Sequence, residues 1–294
     1  MGIDPDGDAF STIRLRDGRS LAFLEVGNPN GPAVIHCHGS GSSRLEVLFM
    51  AHVAEELRIR LIGIDRPGIG RSHPHQYRNI LDWTNDVAEF VGQLGLEEFA
   101  VSGMSNGGAY AMACACRFPE RLKACGLISS ITPAEIVRIA GRRWLRMIWW
   151  IGQHYPAVFR SYLRLMVPDT KPTVAEAGQQ VRRWARWMSE SDQRALQDAR
   201  LRTYLASAMA EHRRQGSIGG RYEAEVGMKP WGFALQDVQC RSFLWYAGED
   251  RLVTVSQARA LAAALPNCTA TFFPYEGHLS IMANHAHDIL ARLI

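Results

Sequence analysis

What the 294-residue sequence lacks narrows its class before any motif is found. No uninterrupted apolar run approaches the roughly 20 residues of a membrane-spanning helix, so no span is expected. The opening stretch MGIDPDGDAF has neither the basic nor the apolar stretch of a secretory signal. Asp6 also stands where myristoylation of Gly2 would want Ser or Thr. The six cysteines (Cys37, Cys114, Cys116, Cys125, Cys240 and Cys268) show no paired spacing and lie in apolar stretches. That pattern reads as free buried thiols in a cytoplasmic protein. The histidines are scattered without metal-ligand spacing, and Gly68-Ile69-Gly70-Arg71 carries no complete G-x-G-x-x-G. Neither a metal nor a cofactor is expected. A net charge of +4 is too mild to suggest a nucleic-acid partner, and there are no internal repeats or low-complexity tracts.

What is present fits a globular chain with one large core. Hydrophobic residues make up 47% and charged residues 21%, which argues against wholesale disorder. Charge is unevenly placed. Residues 132–238 hold 17 Lys and Arg against 10 acidic residues, whereas the rest of the chain holds 16 against 19.

Residues 11–16 and 21–26, of alternating character on either side of a turn at Asp17-Gly18, read as a strand pair. Short apolar runs at 33–38, 60–64, 99–102 and 124–128 read as further strands, most of them separated by helical stretches. Residues 132–238 read almost wholly as helix, broken at Pro156, Pro168, Pro172 and Gly216. Strand–helix alternation then resumes with strands at 243–247 and 269–273 and a closing helix from about Leu279. Strands alternating with helices predict an α/β fold with a mostly parallel sheet covered on both faces. The basic helical block is expected to be an insertion that acts as a lid. It divides the chain into 1–131, 132–238 and 239–294.

The chemistry is concentrated in three short stretches. Gly103-Met104-Ser105-Asn106-Gly107 places a serine between a predicted strand and a predicted helix. A sharp turn there aims the hydroxyl out of the sheet, and the flanking glycines leave room for it. Gly248-Glu249-Asp250 follows one later strand and Glu276-Gly277-His278 follows the next. Serine needs a base to take its proton, and the base needs a carboxylate to fix its tautomer. Ser105, Asp250 and His278 occur in the chain order that such turns require, with Glu249 as the rival acid. Two backbone N–H groups should hold the developing oxyanion. Asn106, next after the nucleophile, supplies one. Ser40, in the small-residue loop His38-Gly39-Ser40-Gly41, supplies the other, while His38 braces that loop.

Together HCHGSG, DRPGIGRS at 65–72, GMSNGG, GEDRLV and EGHLS resemble the α/β-hydrolase superfamily, over essentially all of the chain outside 132–238. The resemblance implies an eight-stranded, mostly parallel sheet with a helical cap inserted after the sixth strand. Epoxide hydrolases and haloalkane dehalogenases of this fold carry Asp where Ser105 stands, which argues against both. Hydrolases of aromatic ring-fission products typically carry Trp where Leu279 stands, and the elbow lacks the GGSWG form of proline iminopeptidases.

The leading expectation is hydrolysis of a small carboxylic ester or lactone through an acyl-enzyme. Carbon–carbon, amide or perhydrolase chemistry on the same triad is the alternative, as is a ligand-binding relative without turnover. The aromatic, arginine-rich stretch at 141–166 has three readings: packing on the core, lining the pocket entrance, or leaning on anionic lipid. Packing is favoured, and a membrane partner is not expected. Trp144, Trp149 and Trp184 are the candidate substrate-binding residues, and the arginine excess predicts that cationic esters are disfavoured. The oligomeric state is left open.

Overall fold

The computed structural model describes residues 10–167 and 169–294, so the readings placed on the first nine residues and on Pro168 lie outside it. Eight strands form one sheet: β1 (Ser11–Arg14), β2 (Ser20–Gly27), β3 (Ala33–Cys37), β4 (Arg60–Ile64), β5 (Phe99–Met104), β6 (Leu122–Ile128), β7 (Ser242–Ala247) and β8 (Cys268–Phe273). The β1–β2 hairpin turns at Asp17-Gly18, where Gly18 has φ +87°, a conformation that costs glycine little. Their order is β1-β2-β4-β3-β5-β6-β7-β8. β2 runs antiparallel to β1 and β4, while every other neighbouring pair is parallel.

That parallel arrangement requires cover on both faces, and the alternation of side chains along each strand divides the core in two. On one face Ile35, Val101, Leu127 and Leu244 pack with residues of α2 (Trp83–Gln93) and α3 (Asn106–Arg117). On the other, Val34, Ala100, Ile128 and Trp245 pack with Val47, Leu48, Met50 and Val53 and with the C-terminal helix at Ser280–Ala291. The sequence predicts one helix over about 45–57. The structure instead has a 3₁₀ stretch at Arg44–Met50 leading into the short α1 (Ala51–Glu56). Its first residue is pinned against β4, because the Arg44 N–H donates to Asp65 and a Cβ on Gly63 would lie 2.3 Å from the Arg44 carbonyl oxygen. Asn79 caps the element that follows it, accepting from the Asp82 N–H.

Between β6 and β7 the described residues contain helices and no strand: α4 (Ala134–Ala140), α5 (Arg143–His154), α6 (Pro156–Met166), α7 (Val174–Ala185), α8 (Glu190–Ala195), α9 (Ala199–His212) and α10 (Ile218–Gly227). α11 (Val255–Ala264) and α12 (Ser280–Ala291) complete the chain. The inserted helices meet the sheet domain chiefly where α9 packs on the 44–50 segment, α8 on α12 and α4 on α11. Strand order reverses between β3 and β5, whose ends at Cys37 and Gly103 are register partners. The loops that leave those two strands diverge, and such a divergence opens the crevice in which α/β sheets bind ligands.

Candidate active site

The turn after β5 is under backbone strain that its surroundings hold in place. Ser105 has φ +53° and ψ −119°, outside the regions that non-glycine residues favour. Three main-chain hydrogen bonds fix it: its N–H donates to Ile128 at 2.9 Å, and its carbonyl accepts from Ile131 at 3.0 Å and Gly108 at 3.1 Å. The glycines around it are steric necessities. A Cβ on Gly103 would lie 2.2 Å from the Gly107 carbonyl oxygen, one on Gly107 1.9 Å from that of Cys37, and one on Gly108 2.1 Å from the Ser130 hydroxyl. α3 begins at Asn106, directly behind the serine, so its unsatisfied N-terminal amides favour negative charge there.

The other two residues arrive from loops at the ends of neighbouring strands. Asp250 follows β7 and His278 follows β8, and both are buried. Asp250 Oδ2 lies 2.8 Å from His278 Nδ1, while Oδ1 accepts from the backbone N–H groups of Leu252 (2.7 Å) and Val253 (2.9 Å). Burial alone would push this carboxyl up, but the facing imidazole and the two amides hold it below the usual carboxylate range. Burial alone would likewise favour neutral His278. The Asp250 carboxylate outweighs it and leaves the imidazole above its ordinary value, with Asp192 and Glu46 adding in the same direction. Glu249, the rival acid, points elsewhere and accepts from the Ser191 hydroxyl at 2.8 Å.

The loop after β3 is braced from below. His38 is buried with Nδ1 2.9 Å from the Gly39 carbonyl oxygen, and Arg66 donates to the His38 carbonyl at 2.7 Å. Burial, with the Arg66 guanidinium beside it, keeps the His38 imidazole well below its ordinary value and therefore neutral. The guanidinium itself is paired with the buried Glu223 and stacks 4.4 Å from the Tyr110 ring centroid. The Asp65–Ser72 stretch is thus a shaped loop: Asp65 accepts from the Arg44 and Arg71 N–H groups, and a Cβ on Gly70 would collide with its carboxylate. The Gly39 N–H is already engaged by the Glu46 carboxylate at 3.0 Å.

Ser105, His278 and Ser40 line one cavity of about 350 Å³. Its walls are mostly apolar, with Phe49, Met104, Leu205, Met209, Leu252 and Leu279 contributing, and Trp184 reaches it from the inserted helices. Asn106 is buried behind Ser105. The structure corrects two of the substrate-binding expectations. Trp149 is buried and Trp144 is 48% exposed, and neither lines this cavity. Both belong to α5, which packs on α4 and α6 rather than over the serine. The arginine excess does not bear on the cavity either. Among the described residues Glu46 is the one acidic residue that lines it, and no arginine or lysine does. A larger recess of about 560 Å³ gathers Arg44, Arg71, Lys171 and Arg214 around Glu211, away from the serine.

Sequence reading missed two acidic residues that hold this site together. Asp192, from α8, is fully buried, and its carboxylate accepts from the backbone N–H groups of His278 (3.1 Å), Leu279 (2.8 Å) and Ser280 (2.9 Å). Gly277 must be glycine beneath this clamp, since a Cβ would lie 2.1 Å from the Ser189 hydroxyl. Glu46 joins the Gly39 amide to His36, whose other ring nitrogen meets the Ser102 hydroxyl. Asp192 carried one local signal, Ser189 three residues before it as a helix cap, and Glu46 carried none.

Residues 32–284 match the family described as alpha/beta hydrolase fold. The chain is 26% identical to bifunctional epoxide hydrolase 2 of Sus scrofa over 146 residues, 46% of this chain and 26% of that protein. It is also 26% identical to proline iminopeptidase of Neisseria gonorrhoeae over 168 residues, 56% of this chain and 53% of that protein. The chain thus spans about a quarter and about half of these two relatives. Among solved structures, an esterase from Rhodococcus sp. ECU1013 superposes with TM-score 0.68 at 17% identity, covering 97% of this chain and 98% of that one. The enol-lactonase from Burkholderia xenovorans LB400 gives TM-score 0.67 at 15% identity, covering 96% and 99%. At those identities the likeness is one of fold.

Proposed function

Since the chain belongs to the alpha/beta hydrolase fold family, we propose that it is a serine hydrolase that cleaves small hydrophobic carboxylic esters or lactones through an acyl-enzyme. The observation that most supports this is the 2.8 Å contact of His278 Nδ1 with Asp250, on a ring that shares one apolar cavity with the strained Ser105. With Nδ1 held by the carboxylate, Nε2 is the nitrogen left to serve as base. His278 takes the proton as the Ser105 hydroxyl attacks the substrate carbonyl. The amides of Ser40 and Asn106 then receive the oxyanion, and Asn106 opens a helix whose dipole adds to that stabilisation. Collapse of this intermediate expels the alcohol, which takes its proton from His278, and leaves an acyl group on Ser105. Water activated by the same imidazole releases the acid.

The helices at 132–238 serve in this reading as a cap, with Trp184, Leu205 and Met209 forming its contribution to the cavity. An apolar pocket of this size suits a compact acyl or aryl group. The esterase and the enol-lactonase that superpose on this chain share its fold, and that fold accommodates such chemistry. A cytoplasmic setting is part of the same reading and agrees with six free cysteines, four of them buried. A fluorophosphonate probe should label the wild type stoichiometrically and leave Ser105→Ala unlabelled. A parallel panel of p-nitrophenyl esters, lactones and aryl amides should show turnover of the first two classes. Labelling at another serine would remove Ser105 from the mechanism, and turnover of amides alone would remove the ester assignment.

A further inference from the structure

Between Ile136 and Val167 the chain has six arginines and no acidic residue. This stretch forms most of α4 and all of α5 and α6, and α5 and α6 pack on each other. Only Trp149, Phe159 and Leu163 of that pair are buried. The opposite side presents Trp144, Met147 and Trp150 at intervals of three along α5, then Val158, Tyr162 and Leu165 at intervals of four and three along α6. Helical residues so spaced share a face. Tyr155, at the corner, joins the two rows through a ring contact of 5.3 Å with Trp150. Leu165 is 79% exposed and Met147 58%, so most of their surface stays in water. Among the described residues Arg160 has a carboxylate partner, Glu225 at 3.7 Å, whereas Arg138, Arg142, Arg143, Arg146 and Arg164 have none.

We propose that the exposed face of α5 and α6 is a docking surface for anionic phospholipid bilayers, on which the protein lies without spanning them. No helix among the described residues is long and apolar enough to cross a membrane. The charge pattern selects this occupant over a second copy of the chain. A two-fold contact through this face would set two sets of arginines against each other, five of the six in each set without a carboxylate partner among the described residues. A lipid surface resolves both halves of the problem at once. The aliphatic and aromatic side chains enter the acyl boundary, Trp and Tyr rest at headgroup depth, and the arginines meet lipid phosphates. Trp144, expected from the sequence to touch substrate, takes part in this surface instead.

The full chain can be tested by flotation with two vesicle preparations: phosphatidylcholine alone, and phosphatidylcholine mixed with an equal amount of phosphatidylglycerol. The wild type is expected to float with the mixed vesicles and to remain largely unbound with phosphatidylcholine alone. Arg143→Gln/Arg146→Gln should lose about thirtyfold in affinity, the equivalent of about 1 kcal/mol for each cation near an anionic surface. Met147→Ser/Trp150→Ser should bind at least tenfold more weakly while keeping the wild-type thermal midpoint, since both side chains are exposed. Equal binding to both vesicle types, or none to either, would overturn the proposal. So would a solution dimer that Met147→Ser/Trp150→Ser converts to monomer, because the face would then cover a second copy.

Discussion

Strand β5 and helix α5 both carry bulky apolar side chains, yet all six residues of β5 are buried and only Trp149 among the twelve of α5. The difference lies in what surrounds them. β5 is flanked by β3 and β6 and covered on both faces, so its apolar side chains Phe99, Ala100, Val101 and Met104 enter one core or the other. α5 packs on α4 and α6 and leaves seven of its twelve residues exposed. Charge follows the same division. Arg44 and Arg66 in the sheet domain are buried against Asp65, Glu211 and Glu223, whereas most arginines of α4 to α6 have no acidic partner. In the first region sequence apolarity predicts stability and charge predicts structure. In the second both are free for work at a surface.

That division can be broken most severely at the site itself. Asp250→Asn should lower kcat by about four orders of magnitude, the usual worth of the carboxylate that orients a catalytic imidazole. Glu249→Gln should cost little activity, because it loses only a contact with Ser191. Steady-state kinetics on one activated ester compares the two, and equal losses would place both acids in a single network. The next largest effect is on folding. Phe90 is wholly buried and meets Phe23 edge-on at 5.0 Å, so Phe90→Ala should destabilise the protein by about 3–5 kcal/mol in urea denaturation. A cost near zero would mean that the first core is much looser than its burial suggests.

How much of this was legible in the sequence follows from where each interaction comes from. The central strands β3 to β7 were readable because parallel strands buried on both faces are continuous apolar runs, whereas the exposed β1 and the antiparallel β2 were readable from the turn at Asp17-Gly18 between them. The Ser105, Asp250 and His278 positions were readable because each follows a strand end within a few residues, so local spacing fixes their place. The 3₁₀ stretch at Arg44–Met50 was not, since it depends on close approach to β4 across the sheet. Cavity lining was the least legible. Trp184 and Trp144 have the same side chain in similar basic helices, and only the packing of α7 on α9 brings one of them to the serine. Asp192 was invisible for the same reason: its partners lie more than eighty residues away.

Asp192 ties the inserted helices to the backbone that carries His278, so it sharpens the comparison. Replacing it with Asn leaves a single acceptor oxygen for three backbone amides and removes a negative charge near His278. Misplacing the imidazole should lower kcat/KM on the order of a hundredfold. The pH profile separates this from simple loss of fold. In the wild type His278 titrates above the ordinary histidine value, so activity is present above that point and lost as pH falls through it. Without the Asp192 charge, the imidazole is neutral at lower pH, and the acidic limb should move down. A limb that stays in place while the thermal midpoint drops would reduce Asp192 to a fold-stabilising contact.

The smallest effect is the most discriminating one for α5. Trp144 is 48% exposed and lines no part of the serine cavity, so Trp144→Ala should change stability by no more than about 0.5 kcal/mol. Its kcat/KM on a water-soluble aryl ester should stay within about twofold of wild type, the rate equivalent of that same margin. Trp184→Ala removes a wall of the cavity and part of the roughly 1.5–3 kcal/mol that burying such apolar surface supplies, which corresponds to about tenfold in kcat/KM for an aryl ester. The two variants differ only in where the tryptophan stands, so their ratio measures position and not side-chain chemistry. If Trp144→Ala lost activity and Trp184→Ala did not, substrate would enter against α5, and the boundary drawn here between a folded interior and an available surface would be in the wrong place.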